Sequence, residues 1–365
     1  MKSTLSKKWM WVGALPLIGS FAVCADTVTA TESNVDISPF IVNGTNASTS
    51  DFPSIASLFI DSFEYDGVYY TDPYCGATIL DPQHILTAAH CIYGNERAQL
   101  FTVVVPQLED VDDYPAGNIQ RYRISEVYYR NDYNNDIKSL LANDVAILKL
   151  SEDMSVNSNI EAVILPKDKD WDENDYRLLY PGSFVAVGHG DTQSGFDATT
   201  SLQKVALDLI TNTECVKIFG EELTQSQICF DGKTSDSNSL NGGTCQGDSG
   251  GPIYWNDGSD YVQVGITSFG PIQCGDPTVG ATSVFTEVND FNAWITSVLD
   301  GNETPKATST NLKRTAYLNQ HGSIQTVSST SESSGGALST LLLGALLALG
   351  LRRTRTIRAL QGSRR

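Results

Sequence analysis

The segment Gly247-Asp248-Ser249-Gly250-Gly251-Pro252 sets a serine among glycines, with an aspartate directly before it. Glycines let the backbone turn tightly and let a substrate approach main-chain N–H groups. Gly, Asp and Ser are also ordinary turn residues, so this segment alone reads equally as a loop. Two others change the balance: Leu86-Thr87-Ala88-Ala89-His90-Cys91 and Asn143-Asp144-Val145-Ala146-Ile147-Leu148-Lys149-Leu150. Together the three supply a histidine, an aspartate and a serine. A serine hydroxyl is a weak nucleophile at neutral pH and needs a neighbouring imidazole to take its proton. Imidazole suits that task because its unperturbed pKa is about 6.5. A carboxylate fixes the ring's tautomer and stabilises the imidazolium, and backbone N–H groups stabilise the oxyanion by roughly 3–4 kcal/mol per donor.

In the order His, Asp, Ser, these segments resemble the trypsin/chymotrypsin-like serine proteases over roughly residues 41–300. The resemblance implies a serine endopeptidase acting through an acyl-enzyme on protein or peptide substrates. It implies His90 as general base, Asp144 as its orienting partner, Ser249 as nucleophile, and the N–H groups of Gly247 and Ser249 as oxyanion hole. Ser268, in Ser268-Phe269-Gly270, matches the segment that supports the aspartate and pairs with substrate backbone. Apart from Cys24, six cysteines remain, an even number suited to an oxidising compartment. The resemblance selects the pairs Cys75–Cys91, Cys215–Cys229 and Cys245–Cys274.

Ile41-Val42-Asn43-Gly44 matches the family's mature N-terminus. There, cleavage frees an α-amino group that pairs with the carboxylate preceding the nucleophile, here Ile41 with Asp248. The residue before that bond is Phe40, where many trypsin relatives carry Arg or Lys, so an enzyme accepting aromatic residues is expected to activate the zymogen. The specificity pocket agrees. Gly243 stands where trypsins place an aspartate, Gly270 leaves one wall open, and Ser283 matches a small residue on the other wall. A cationic side chain would be desolvated unpaired in such a pocket, which favours aromatic or large apolar residues instead. The alternative is that Asp276, in a lengthened loop, reaches the pocket and restores an Arg/Lys preference. A further alternative is a non-catalytic homologue serving as a binding module.

The ends of the chain suggest where it works. Residues 1–25 read as a secretory signal, with Lys2, Lys7 and Lys8 before an apolar stretch and Val23-Cys24-Ala25 as a cleavage site. Residues 26–40 then form a propeptide. Residues 301–334, rich in Ser, Thr and Asn, read as a flexible linker. Beyond it, Gly335-Gly336, a leucine-rich run over 337–351 and Arg352, Arg353, Arg355 and Arg358 resemble a GlyGly-CTERM sorting tail. That tail implies a rhomboid-like sorting protease as partner, export and attachment to a bacterial cell surface. The alternative is a permanent C-terminal membrane anchor.

The chain holds 24 Lys+Arg against 43 Asp+Glu, a net charge of −19. That balance disfavours nucleic acid and anionic membranes as partners. No cofactor is expected, and the mature enzyme is expected to be a monomer. The acidic run Glu109-Asp110-Val111-Asp112-Asp113 could bind calcium, although it lacks an EF-hand pattern. No CxxC pair or histidine cluster points to another metal. His84, His189 and His321 are read as structural.

These residues need a scaffold. Short runs rich in Val, Ile, Tyr and Phe recur over 54–60, 77–80, 101–105, 122–129, 145–150, 184–187, 204–210, 262–268 and 283–288. With turn residues between them, they predict an all-β antiparallel sandwich or barrel. The resemblance sharpens this to two antiparallel Greek-key six-stranded β-barrels, the chymotrypsin-like fold. Phe291, Trp294, Ile295, Val298 and Leu299 form one apolar stripe and predict a C-terminal amphipathic helix, capped by Asn289 or Asp290 and followed by Gly301.

Overall fold

The computed structural model describes residues 41–116, 119–157, 161–166, 184–256 and 258–322. The expected signal segment and propeptide, including Phe40, and the GlyGly and arginine-rich tail lie outside them.

A short strand β1 (Thr45–Asn46) precedes two closed six-stranded antiparallel barrels. The first contains β2 (Ile55–Ile60), β3 (Cys75–Asp81), β4 (His84–Thr87), β5 (Thr102–Pro106), β6 (Tyr122–Tyr129) and β7 (Ala146–Leu150). Its order is β6-β5-β2-β3-β4-β7, and β7 closes it by pairing back onto β6. The second contains β8 (Phe184–Gly188), β9 (Gln203–Ile210), β10 (Gln227–Gly232), β11 (Pro252–Asn256), β12 (Tyr261–Phe269) and β13 (Ser283–Glu287). Its order is β9-β10-β13-β12-β11-β8, closed by β8 on β9, with β1 added beside β9.

The strand period of two explains which residues face each barrel interior. Ala56, Leu58 and Ile60 join the first core, whereas Ile55 and Phe59, on the opposite face of β2, are buried under other layers. Both faces are covered, so Ile-Ala-Ser-Leu-Phe-Ile reads as an unbroken run rather than an alternation. In β9, Val205 and Leu207 enter the second core while Ala206 and Asp208 are exposed. Buried polar pairs join the barrels: Thr78 Oγ1 donates to Gln263 Oε1 at 2.7 Å, and Ser54 Oγ meets Tyr254 Oη at 2.8 Å.

All nine expected strand runs coincide with strands, but the barrel strands β4, β10 and β11 were not among those runs. β4 is four residues long and follows β3 through a tight turn. β11 begins at a proline, which a strand tolerates only at such a first position or at an edge.

The expected C-terminal helix forms at Asn292–Leu299, with Phe291, Ile295 and Val298 buried against the first barrel. Its expected cap does not form. A 3₁₀ turn, Asn289–Phe291, leads into it, and Asp290 instead accepts a hydrogen bond from Ser226 Oγ at 2.6 Å. Gly301 does close it, donating to Val298 O at 3.0 Å.

The flexible linker expected over 301–334 is corrected for 301–322. Strand β14 (Ala307–Thr308) pairs with β6, and a helix, Asn311–His321, follows and packs on the first barrel. Its composition misleads because a buried arginine, Arg314, takes the place of an aliphatic residue on its inward face. Among the described residues, no helix is long and apolar enough to cross a membrane.

Candidate active site

His90 lies in a 3₁₀ turn, Ala89–Cys91, directly after β4, and Cys91 is bonded to Cys75 at the start of β3. Asp144 precedes β7 and is fully buried; Thr286 Oγ1 holds its carbonyl at 2.9 Å. Ser249 sits on the turn before β11, and Ser268 lies on β12. The two barrels therefore contribute opposite sides of one site.

Asp144 is the hub. Its Oδ2 accepts from His90 Nδ1 at 2.7 Å and from Ser268 Oγ at 2.6 Å, while Oδ1 accepts the His90 main-chain N–H at 2.8 Å. Burial pulls the His90 pKa down, but the charge and hydrogen bond of Asp144 outweigh it and leave the ring above its ordinary value. Tyr133 packs nearby. Burial and then the Asp144 charge push its phenol upward, so it stays neutral.

The Ser249 segment is held by its main chain. Gly76 N donates to Ser249 O at 2.8 Å, and Gly250 N donates to Thr267 O at 2.8 Å. Ser249 Oγ makes no hydrogen bond among the described residues, so the hydroxyl is free to turn. Gly247 has φ +97°, a conformation that favours glycine. Among the described residues, neither the Gly247 nor the Ser249 N–H donates to a protein acceptor.

Asp248 points the other way, into the protein. Its carboxylate accepts from Gly190 N and Cys245 N, each at 2.9 Å. Desolvation raises its pKa to about 7, and nearby Asp191 and Asp197 add to the rise. Ile41 is buried in the second-barrel core, and Gly243 N donates to Val42 O at 3.2 Å. With the chain intact, Ile41 N is an amide, and Asp248 has no cationic partner among the described residues.

The expected pocket residues cluster at a third side. Ser283 is buried, and its Oγ accepts from Thr244 N and Thr244 Oγ1, each at 2.9 Å. A Cβ on Gly243 would lie 2.7 Å from Thr282 Cβ, and one on Gly270 would lie 2.7 Å from Thr282 O. Neither glycine can therefore gain a side chain unless Thr282 moves. Asp276 stays on its own loop, where Oδ1 accepts from Thr278 N at 2.9 Å and Thr278 Oγ1 at 2.7 Å. Those bonds hold its pKa below the ordinary carboxylate value.

The three disulfides are Cys75–Cys91, Cys215–Cys229 and Cys245–Cys274. Among the described residues, the acidic run forms no close cluster of metal-type side chains. Glu109 Oε1 accepts from Ser48 Oγ, Thr49 N and Thr49 Oγ1, and Asp110 accepts from Asp112 N and Ser201 Oγ. Those carboxylates staple loops together instead of converging on one point. Among the described residues, the one close set of metal-type ligands is Cys75, His90 and Cys91, whose sulfurs are spent on their disulfide. His84 pairs with Asp81, His189 Nδ1 meets Ser57 Oγ, and His321 Nδ1 meets the Tyr317 carbonyl.

Comparison with known proteins gives the arrangement a lineage. Residues 41–295 match the family model described as Trypsin. The chain is 32% identical to Trypsin-1 of Astacus astacus over 260 residues, covering 70% of this chain and 98% of that protein. It is 31% identical to a venom serine protease of Polistes dominula over 255 residues, 69% of this chain and 83% of that one. The chain belongs to the trypsin family. Kallikrein 1-related peptidase b3 of Mus musculus, 29% identical over 245 residues, covers 64% of the chain and 83% of its own length. Within the trypsin family the chain is a serine endopeptidase, a hydrolase of protein or peptide substrates.

Several contributors to this trypsin-family site were not legible in the sequence. Gly76, Thr244, Thr282 and Tyr133 act through long-range contacts, and their own segments carry no distinctive spacing. Outside that site, the helix Asn311–His321 had a faint signal: a threonine cap, Thr310, ahead of Arg314, Tyr317, Leu318 and His321 at helical spacing.

Proposed function

We propose that Ser249 is the nucleophile of an exported endopeptidase, with His90 as its general base and Asp144 orienting the ring. The carrying observation is the divided Asp144 carboxylate, which holds both Nδ1 and the main chain of His90. With the Nδ1 proton committed to Asp144, Nε2 carries a bare lone pair. Ser249 Oγ attacks the scissile carbonyl carbon while its proton passes to Nε2 and the carbonyl electron pair moves to oxygen. The N–H groups of Gly247 and Ser249 then face that oxyanion. Collapse expels the amine, which takes the Nε2 proton and leaves an acyl-Ser249. Water repeats the sequence and releases the acid.

Activation by a cut between Phe40 and Ile41 would free an ammonium for Asp248, whose buried carboxylate has no cationic partner among the described residues. The pocket reading is neutral, with aromatic or large apolar residues preferred before the scissile bond. Gly243 brings no charge to it, and the Asp276 carboxylate is engaged by Thr278 on its own loop. Export by the leader and surface attachment through the GlyGly tail, processed by a sorting protease, follow from the sequence of both ends.

The deciding experiment combines serine labelling with a peptide library. A fluorophosphonate should label the activated wild type and leave Ser249→Ala unlabelled; label on the variant would move the nucleophile elsewhere. Cleavage confined to bonds after Arg or Lys would overturn the neutral pocket. N-terminal sequencing of exported protein should begin at Ile41, and mass analysis of its C-terminus should end near Gly335-Gly336.

A further inference from the structure

Residues 303–321 lie beyond the segment matched to the trypsin family, yet they are built into the first barrel. Ala307 pairs with Val127 and Thr308 with Glu126, adding a strand to the β6 edge. Thr310 then caps the helix Asn311–His321 by accepting from Lys313 N. That helix sets the Tyr317 ring edge-on to Phe101, with centroids 5.6 Å apart, and packs Leu318 against the first core.

Arg314 is the central contact and is only 3% exposed. Its Nε donates to Leu100 O at 2.6 Å and one terminal nitrogen donates to Ile124 O at 2.7 Å. The other terminal nitrogen donates to Asn311 Oδ1 at 3.0 Å and Tyr65 Oη at 3.4 Å. A buried guanidinium is tolerated only when its donors are satisfied, and this one is satisfied by carbonyls of three elements rather than by a carboxylate. Ser309 Oγ supplies a second donor to Leu100 O at 3.1 Å.

Leu100 lies in the last turn of the helix Glu96–Phe101, which follows His90 and Cys91 in the chain. Gln99 Nε2 ties that helix back to Ile92 O at 3.1 Å, two residues after His90. On its other side, Arg97 donates to Tyr70 Oη at 2.8 Å, and Thr102 Oγ1 meets Tyr74 Oη at 2.7 Å. Tyr74 leads directly into Cys75 and Gly76, and Gly76 N holds the Ser249 carbonyl. Two short chains of contact therefore leave the Arg314 anchor, one reaching His90 and the other the main chain of Ser249.

We infer that residues 303–321 are a working part of the catalytic domain and that Arg314 is a positioning residue. It holds the helix Glu96–Phe101 and thereby sets the His90 turn and Gly76 against Ser249. The inference rests on reading His90 and Ser249 as base and nucleophile. Arg314 itself touches neither substrate nor reacting atoms, so it acts on the placement of His90 and hence on the chemical step.

The test uses the full, activated chain with active sites counted by fluorophosphonate titration. Wild type is compared with Arg314→Ala, Arg314→Lys, Ser309→Ala and Leu312→Ala, the last at a position 81% exposed. In Arg314→Ala, kcat per titrated site should fall about tenfold with KM changed less than about twofold, as expected of a displaced catalytic group. Arg314→Lys should recover part of that loss, since an ammonium can reach one carbonyl but not both. Ser309→Ala should lower kcat about threefold, and Leu312→Ala should match wild type. Fewer titratable sites with unchanged kcat per site would mark Arg314 as merely structural and overturn the inference. If Arg314→Ala yields no folded protein, Ser309→Ala decides, and an unchanged kcat there overturns it too. A wild type that neither labels nor cleaves would instead sink the nucleophile assignment.

Discussion

Asp144 meets His90 through both of its carboxylate oxygens: Oδ2 accepts the ring Nδ1 at 2.7 Å and Oδ1 the main-chain N–H at 2.8 Å. One residue thereby fixes both the tautomer and the backbone of the other. Ser268 Oγ, at 2.6 Å from Oδ2, holds the carboxylate from the opposite barrel. Replacing Asp144 by Asn would offer an N–H to Nδ1 and leave the wrong ring nitrogen protonated. Asp144→Asn should lower kcat by about 10³–10⁴-fold with a much smaller change in KM, as read by steady-state kinetics on a peptide substrate.

The same pair sets the acid limb of activity. The His90 pKa is lowered by burial but raised further by the Asp144 charge and hydrogen bond, so it titrates above 6.5. A general base must be neutral, so kcat/KM should rise with pH through a midpoint above 6.5. Stability runs in the opposite sense. A raised folded-state pKa contributes stability in full below 6.5 and loses it as pH rises through the folded pKa. Asp144→Asn should move the kcat/KM midpoint down, because both raising causes leave with the carboxylate. An unmoved midpoint in that variant would assign the limb to another group.

Asp248 gives the intact and cut chains different pH behaviour. Burial raises its pKa to about 7 in the intact chain, above the ordinary carboxylate value of 3.8. Between those values the folded state binds the extra proton, so this group's contribution to stability falls as pH rises from about 4 to about 7. Cleavage after Phe40 supplies an ammonium, and the pair then needs Asp248 ionised. Thermal melts of Ser249→Ala before and after cleavage by an added protease should show the cut form gaining most near neutral pH. Asp248→Asn should be tolerated by the intact chain at pH 7 while abolishing the gain on cleavage.

Specificity should resist a one-residue conversion. A Cβ at Gly243 would meet Thr282 Cβ at 2.7 Å, closer than side chains approach without displacement. Gly243→Asp alone should therefore lose activity on all substrates without acquiring Arg or Lys cleavage. Adding Thr282→Gly removes that Cβ and opens the space, and the double variant should gain at least about tenfold in relative kcat/KM for Arg over Phe, since a buried cation then finds a carboxylate. Profiling both variants on one peptide library checks the pair.

The sequence alone determined the chemistry and its chain order. Gly247–Pro252, the His90 segment and the Asp144 segment are short contiguous motifs, and local residue types are enough to carry a nucleophile turn or a strand end. Runs rich in Val, Ile, Tyr and Phe, such as Tyr122–Tyr129, likewise betrayed strands, and the stripe from Phe291 to Leu299 betrayed a helix. Tertiary structure alone decided which distant groups complete the site. Gly76 holding Ser249 and Thr282 closing on Gly243 are contacts between residues far apart in the chain, which no local pattern encodes. The same limit hid the docked segment 301–322. Its polar composition reads as solvated chain, and only the buried carbonyls of Leu100 and Ile124 give Arg314 a reason to fold inward.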